Sequence, residues 1–163
     1  MVIDACRMAG HKHPIGLILI GDGRDRAKIA RHIAGNPHVQ LLAPIADRAL
    51  LASVMASADA LIHGCEAETF GLVAAEAAAS GLPLIVPDEG GAADMVTEQT
   101  GECYKAGDTA AAGAAIERLL QRDRTALRKA AFLQATMAGT IDSHFEMLFA
   151  EYASLSFAAR RAA

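Results

Sequence analysis

Short apolar runs alternate along this chain with segments of helical spacing. The run "PIGLILIGDG" consists of branched apolar residues closed by glycines, and it predicts a buried strand over residues 15–20. Three similar runs, "VQLLAP", "ADALIH" and "LPLIVP", predict further strands, the first of them over residues 39–42. Between them, "RDRAKIARHIA" and "DRALLASVMASA" have helical spacing, and Asp47 is placed to cap the second helix.

The second half of the chain continues the same alternation. Residues 70–80 predict a helix that Gly81 and Pro83 close. A short helical segment then runs to Val96, "GECYKAG" predicts an edge strand, and residues 109–154 are predicted to be helical. Strands that alternate with helices over short loops must pair in parallel, so the predicted fold class is α/β, a Rossmann-like doubly wound sheet.

The first ten residues, "MVIDACRMAG", form a helical pattern that no strand precedes. A doubly wound domain normally begins with a strand, so we expect the first strand to be missing and one position of the sheet to be open. An open sheet edge favours low stability or association through that edge.

Composition limits the class of protein. At 163 residues, 53% of them hydrophobic, the chain is long enough for one domain. The net charge of −4 is not that of a nucleic-acid-binding surface, so no nucleic acid is expected as a partner. No apolar run reaches the length of a membrane span and no signal peptide is visible, which favours a cytoplasmic location. The three cysteines are widely spaced, which is typical of free thiols rather than a metal site.

Ligands of doubly wound sheets bind beyond the carboxyl ends of the strands, where three loops of this chain carry polar chemistry. These loops are "GDGRD", "HGCEAETFG" and "PDEGGAAD". The first of them lacks the last glycine of a dinucleotide fingerprint, because Arg26 stands there, and a tight turn is its simplest interpretation.

The second loop leads into a helix, with one carboxylate, Glu68, before it and another, Glu76, near its middle. Glu68 or Thr69 can cap this helix, Gly71 lets a ligand approach its first turn, and the free N–H groups there favour a phosphate. In a continuous helix, Glu76 would lie about 12 Å of rise beyond Glu68, which suits a long ligand with hydroxyls at both ends. Glu76 also lies among alanines on a helix expected to be largely buried, where a charge needs a partner or a ligand. From spacing alone, an equally good interpretation makes Glu76 a solvent-facing residue and Glu68 an ordinary loop acid.

The segment "ETFGLVAAEAAASGLPLIVPDEGGAADMV" resembles the E-x7-E region of the retaining glycosyltransferases of family 4, also described as glycosyl transferases group 1. The positions that fall on the family pattern are Glu68, Phe70, Gly71, Glu76, Ala77, Ala79, Gly81, Pro83, Gly90, Gly91 and Asp94. The resemblance covers residues 1–155 and makes them the C-terminal domain of a GT-B enzyme, which binds the sugar donor, with residues 156–163 as a tail.

The resemblance implies a role for each site residue. Glu68 is the catalytic-site residue that contacts hydroxyls of the transferred sugar, and Glu76 holds the ribose of the nucleotide. The sugar and diphosphate are expected at Phe70, Gly71, Leu72, Gly90 and Gly91, and the nucleotide also at Gly21 and Gly23. The substrate is a nucleotide-sugar, and no metal or other cofactor is expected, because the helix dipole and basic side chains stabilise the leaving diphosphate.

Two departures from the family qualify this interpretation. His63 and Gly64 replace a Pro-Ser pair, so His63 is either a base or, more simply, a hydrogen-bonded polar residue at a strand end. The upstream strand with its "GRL" and "KG" signatures and the acceptor-binding N-terminal domain are not in the sequence, which predicts a fragment that transfers no sugar alone.

The expected partners are therefore that domain, or a separate chain that supplies it, and an acceptor such as a membrane-associated glycan or lipid. Peripheral attachment to a membrane would then come through the missing domain. The alternative is a stand-alone, non-catalytic module that binds a nucleotide or nucleotide-sugar. A flavodoxin-like signalling domain would need acidic or phosphate-loop residues at the early strand ends, which the sequence lacks.

Overall fold

A computed structural model describes residues 1–137 and 141–161 of the chain. Its elements, in chain order, are α1 (Val2–Gly10), β1 (Leu17–Ile20), α2 (Arg26–Ile33), β2 (Val39–Leu42), α3 (Arg48–Ser57), β3 (Leu61–Ile62), α4 (Leu72–Ala79), β4 (Leu84–Pro87), a 3₁₀ turn (Ala93–Met95), β5 (Gly101–Tyr104), α5 (Thr109–Leu120), α6 (Arg124–Met137) and α7 (Ile141–Arg161). This alternation confirms the predicted α/β class. Asp47 caps α3 as predicted, accepting hydrogen bonds from the backbone of Ala49 and Leu50.

Every strand pair in the described residues is parallel, but the sheet is in two parts. β1 pairs with β2, and β4 lies between β3 and β5. No hydrogen-bonded pairing joins β1 to β3 among the described strands, so each of them has one unpaired edge. In a doubly wound sheet of order 3-2-1-4-5-6, the central first strand lies at the point where this sheet is divided. The division therefore agrees with the expected open position, and β5 is an edge strand as predicted.

The core consists of two apolar clusters on opposite sides of β4. Successive side chains of a strand point to opposite faces, so Ile85 belongs to one cluster and its neighbours Leu84 and Val86 to the other. The first cluster packs α1 and α5 against the sheet and includes Tyr104, whereas the second lies under α4. All four residues of β4 are buried, as the continuous apolar run predicts.

The prediction that residues 15–20 form a wholly buried strand is wrong. Leu17 is buried, but Ile18 is 52% exposed and Ile20 is also exposed. Leu17 belongs to the first core cluster, whereas α2, the helix that follows β1, contains no fully buried residue. β1 therefore has a covered face and an open one.

The C-terminal helical region predicted for residues 109–154 is divided into α5, α6 and α7. The last of these helices continues through Arg161, across the predicted start of the tail at residue 156, and residues 162–163 of that tail lie outside the described part of the chain. Among the described helices, none combines the length and the hydropathy that crossing a membrane requires.

Candidate functional site

The loop after β3 begins at His63, whose backbone is hydrogen-bonded to residues of the other two strands of its sheet. The backbone N–H of His63 donates to the carbonyl of Ile85 at 2.8 Å, and the Tyr104 hydroxyl donates to the carbonyl of His63 at 2.5 Å. Burial raises the pKa of Tyr104 to about 12, so this hydroxyl keeps its proton and remains a donor at neutral pH. The backbone of His63 is thus fixed to β4 and β5.

Gly90 and Gly91 pack directly against the backbone of the same loop. The N–H of Gly91 donates to the Glu68 carbonyl at 2.8 Å, and a Cβ at this position would lie 2.4 Å from the carbonyl oxygen of Thr69. A Cβ on Gly90 would meet the Glu68 carbonyl oxygen at 3.0 Å. Only glycine permits so close an approach, and what it holds in place is the Glu68 loop. The Gly91 amide, expected to contact the sugar or diphosphate, is already engaged within the protein.

The Glu68 side chain lies at the beginning of α4, 29% exposed, with its two oxygens in different surroundings. Oε1 accepts a hydrogen bond from the backbone N–H of Phe70 at 3.4 Å. The backbone N–H groups of Gly71 and Phe70, with the imidazole of His63, lower the pKa of this carboxyl. Oε2 faces the His63 ring, whose Nε2 is 4.0 Å away. The loop therefore holds an ionised carboxylate with one oxygen available to a ligand.

The helix α4 begins at Leu72, two residues later than predicted. Its N-cap is Gly71, in the left-handed conformation with φ of 81°, and no side chain caps the helix. The expectation that Glu68 or Thr69 caps it is therefore wrong, because the left-handed turn at Gly71 separates both residues from the first turn. The side chains of Phe70 and Leu72 are largely exposed beside this helix end. An uncapped N-terminus leaves backbone N–H groups for an anionic ligand.

Glu76 lies in the middle of α4 and is 42% exposed. The helix buries only the face that carries Ala74 and Ala77, so the prediction of a largely buried helix is wrong. Glu76 nevertheless has a cationic partner, since Arg48 from the first turn of α3 donates to its Oε1 at 3.1 Å. Arg48 is almost fully exposed, and such a surface pair contributes about 1 kcal/mol or less. The Glu76 carboxylate therefore remains accessible to a polar ligand.

Gly21 and Gly23 lie in the other part of the sheet, in the turn that follows β1. The turn lines a cavity of about 380 Å³. Arg26 donates to the carbonyls of Gly21 and Leu42, which joins the ends of β1 and β2. The hydrogen bonds of this turn run to β2 rather than to the loop that carries Glu68.

Sequence reasoning missed two features of this site. Arg48 pairs with Glu76 across 28 positions of sequence, and its only sequence signal is a basic residue directly after the Asp47 cap. The expectation that His63 is a satisfied polar residue holds for its backbone but is wrong for its ring, since Nε2 is buried without a hydrogen-bond partner in the described part of the molecule. Within residues 1–137 and 141–161, no cluster of three or more His, Cys, Asp or Glu side chains is arranged to hold a metal ion.

Comparison with known proteins places this geometry in a family. Residues 1–122 match the family described as glycosyl transferases group 1. Over 83 residues the chain is 40% identical to a GDP-mannose-dependent alpha-mannosyltransferase of Mycobacterium tuberculosis (strain CDC 1551 / Oshkosh), a match that covers 51% of this chain and 21% of the relative.

A second relative is the GDP-mannose-dependent alpha-(1-6)-phosphatidylinositol dimannoside mannosyltransferase of M. tuberculosis (strain ATCC 25177 / H37Ra). It is 34% identical over 87 residues, 53% of this chain and 23% of the relative. The chain thus spans less than a quarter of the length of these curated relatives.

Among solved structures, Anabaena HepE in complex with UDP and glucose superposes with a TM-score of 0.76 at 22% identity, covering 94% of this chain and 44% of HepE. This similarity shows the fold, a Rossmann-like domain of the GT-B type. The chain belongs to the glycosyl transferases group 1 family.

Proposed function

We propose that this chain is the domain that binds the sugar donor in a retaining glycosyltransferase of family 4, an enzyme that moves a sugar from a nucleotide-sugar to an acceptor. The assignment rests on the E-x7-E motif together with family membership. One observation carries it: Glu68 and Glu76 are accessible carboxylates on the same loop-helix unit, on either side of an uncapped helix end.

Each part of this unit suits a different part of a nucleotide-sugar. The free oxygen of Glu68 accepts hydrogen bonds from sugar hydroxyls, and the uncapped helix end at Leu72, beside Phe70 and Gly71, binds the diphosphate with the help of the helix dipole. Glu76 accepts hydrogen bonds from the ribose hydroxyls. Arg48, which Glu76 holds at this surface, supplies positive charge for the diphosphate. Gly90 and Gly91 contribute by supporting the Glu68 loop.

GDP-mannose is the first donor to test, because the names of both mannosyltransferase relatives describe them as GDP-mannose-dependent. UDP-glucose is the second, because the HepE structure contains UDP and glucose. The phosphatidylinositol dimannoside in the name of one relative supports a membrane lipid as the acceptor class. We place the enzyme in the cytoplasm, at the membrane surface.

Catalysis needs a second domain in this proposal. Positioning of both substrates in one water-poor cleft accounts for about 7 to 11 kcal/mol of a reaction barrier in favourable cases. In this proposal, residues 1–163 form the side of the cleft that binds the sugar donor. We therefore expect no sugar transfer by this chain alone, and transfer once an acceptor-binding domain is joined upstream. Turnover by residues 1–163 alone that a Glu68→Ala, Glu76→Ala double variant abolishes would contradict this requirement.

Binding measurements test the assignment directly. Calorimetry with GDP, GDP-mannose, UDP and UDP-glucose should give a measurable Kd for at least one nucleotide and its sugar. Glu76→Ala should weaken the free nucleotide and the nucleotide-sugar alike, by about tenfold to a hundredfold, since a hydrogen bond to a charged acceptor contributes roughly 1.5 to 3 kcal/mol. Glu68→Ala should weaken only the nucleotide-sugar.

Glu98→Ala is the matched control. Glu98 is an exposed carboxylate that precedes β5, at the opposite edge of the parallel sheet from the loops that follow the strands. Its substitution should leave every Kd unchanged. The proposal is wrong if the wild-type chain binds none of the four ligands, or if Glu76→Ala binds them as tightly as the wild type does.

A further inference from the structure

The imidazole of His63 is a buried polar group that the proposed site has not yet used. Its side chain is 14% exposed, and Nε2 has no hydrogen-bond partner in the described residues. Leaving a buried donor or acceptor unpaired is costly, and most such groups in folded proteins find a partner. An unpaired ring nitrogen at the end of a strand, beside a ligand-binding loop, therefore calls for a functional explanation.

Oε2 of Glu68 lies 4.0 Å from this nitrogen, just beyond hydrogen-bonding distance. Oε1 of the same carboxylate is already bound to the backbone N–H of Phe70. Nε2 itself is shielded from solvent, so it is closed to a ligand in this conformation. The geometry thus favours contact with Glu68 over direct contact with a ligand.

The two partners differ in how far they can move. Two hydrogen bonds fix the His63 backbone to β4 and β5, whereas the Glu68 carboxylate belongs to a side chain that is 29% exposed and can rotate. A rotation of the Glu68 side chain that moves Oε2 by about 1 Å would bring it within hydrogen-bonding distance of Nε2, while Gly90 and Gly91 keep the loop backbone in place. His63 therefore stays in place at the strand end while the Glu68 carboxylate moves toward it.

We propose that His63 is a positioning residue for sugar recognition: its Nε2–H donates to Oε2 of Glu68 when the nucleotide-sugar binds, and so orients the carboxylate toward the sugar hydroxyls. This inference rests on the proposed function, because it assigns His63 to the same site. Its consequence is specific: His63 contributes to the affinity for the nucleotide-sugar but not to the affinity for the free nucleotide, which does not contact Glu68.

The test compares two variants with the wild-type chain, using GDP-mannose against GDP and UDP-glucose against UDP. His63→Leu removes the ring nitrogen and should weaken the nucleotide-sugar by about tenfold while the free nucleotide keeps its Kd. His63→Gln retains an N–H donor at a similar reach and should restore most of the loss. In a Glu68→Ala background, His63→Leu should cause no further loss, because its effect acts through that carboxylate. His38→Leu, an exposed histidine before β2, is the control and should change no affinity.

A measurement on the unmodified chain covers the case in which His63→Leu does not fold. In proton NMR with nitrogen-15 labelled histidine, an imidazole N–H protected from exchange should appear on addition of the nucleotide-sugar and not on addition of the nucleotide. The signal should be absent from His63→Gln.

The outcomes separate the two claims. If the wild type binds the nucleotide-sugar and Glu68→Ala weakens it, but His63→Leu binds normally or no protected N–H appears, the positioning role is wrong and the proposed function stands. Equal losses for nucleotide and nucleotide-sugar in His63→Leu would also overturn it, since they indicate general damage to the fold. If the wild type binds no ligand, both claims fail.

Discussion

The two parts of the sheet have the same parallel architecture but very different packing. In the part formed by β3, β4 and β5, the central strand is buried along its whole length between two apolar clusters. In the part formed by β1 and β2, exposed and covered side chains alternate, and the helix α2 buries no residue completely. Both carboxylates of the proposed site belong to the well-packed part.

This difference shows where the site gets its rigidity. Strand β4 and strand β5 fix the backbone of His63, and the glycines after β4 support the Glu68 loop through direct backbone contacts. The turn after β1 is joined to β2 by the Arg26 side chain and by a backbone hydrogen bond of 3.3 Å from the Gly21 N–H to the Leu42 carbonyl. Packed strands hold a binding site in one geometry. The turn at Gly21 and Gly23 instead follows β1, a strand with one unpaired edge.

Two leucines on equivalent strands provide the strongest contrast in stability. Leu84 in β4 is 1% exposed, so Leu84→Ala should leave a cavity and lower the free energy of unfolding by about 2 to 5 kcal/mol. Leu42 in β2 is 38% exposed, and Leu42→Ala should cost about 1 kcal/mol. Urea denaturation of both variants measures the difference. Equal losses would mean that the two parts of the sheet are packed alike.

Gly91, which follows β4, should tolerate replacement by alanine less well than Gly16, which precedes β1. An alanine Cβ at position 91 would lie 2.4 Å from the Thr69 carbonyl, so Gly91→Ala must displace the Glu68 loop, at a cost of roughly 1 to 3 kcal/mol. The same displacement of the loop should lower the affinity for the nucleotide-sugar. At position 16 the nearest atom would be 3.8 Å away, and Gly16→Ala should stay within about 0.5 kcal/mol of the wild type. A stable Gly91→Ala variant with normal affinity would refute the supporting role.

The hydroxyl of Tyr104 predicts a pH dependence of stability. Its pKa is about 12 in the folded protein, against an ordinary value of about 10, so the folded chain keeps a proton that the unfolded chain loses. The stabilisation is complete below pH 10 and declines as the pH rises toward 12. Tyr104→Phe should cost about 1 kcal/mol at pH 8, and this deficit should shrink between pH 10 and 12.

Denaturation of both proteins at pH 8, 10 and 11 measures this trend. Tyr152→Phe, at an exposed position on α7, is the matched control and should match the wild type at each pH. A deficit for Tyr104→Phe that is constant with pH would show that the hydroxyl is not buried as the structure has it.

Local patterns were sufficient to predict most of the elements. The apolar runs gave the strands, and Asp47 was identified as a cap, because these features depend on residues close together in sequence. The motif between Glu68 and Glu76 was identified by its resemblance to a family, since spacing alone left a solvent-facing Glu76 equally plausible.

Most of the errors concern contacts between distant segments, whereas the error in the cap of α4 is local and comes from the left-handed turn at Gly71. Exposure of Ile18 depends on what covers β1, and the pairing of Glu76 with Arg48 depends on how α3 packs beside α4. The engagement of the Gly91 amide by the Glu68 carbonyl needs two loops to meet at backbone distance. The unpaired nitrogen of His63 likewise depends on the path of a loop, which no periodicity describes.

The central claim is that a nucleotide-sugar binds to the well-packed part of the sheet. The most direct measurement is an NMR titration of the labelled chain with GDP-mannose and UDP-glucose, following every assigned backbone amide. We predict saturable shifts at Phe70, Gly71 and Leu72 that extend along α4 to Glu76, with the α1–α5 surface around Met8 and Glu117 unaffected. Shifts confined to that distant surface, or no saturable shift with either ligand, would contradict the account.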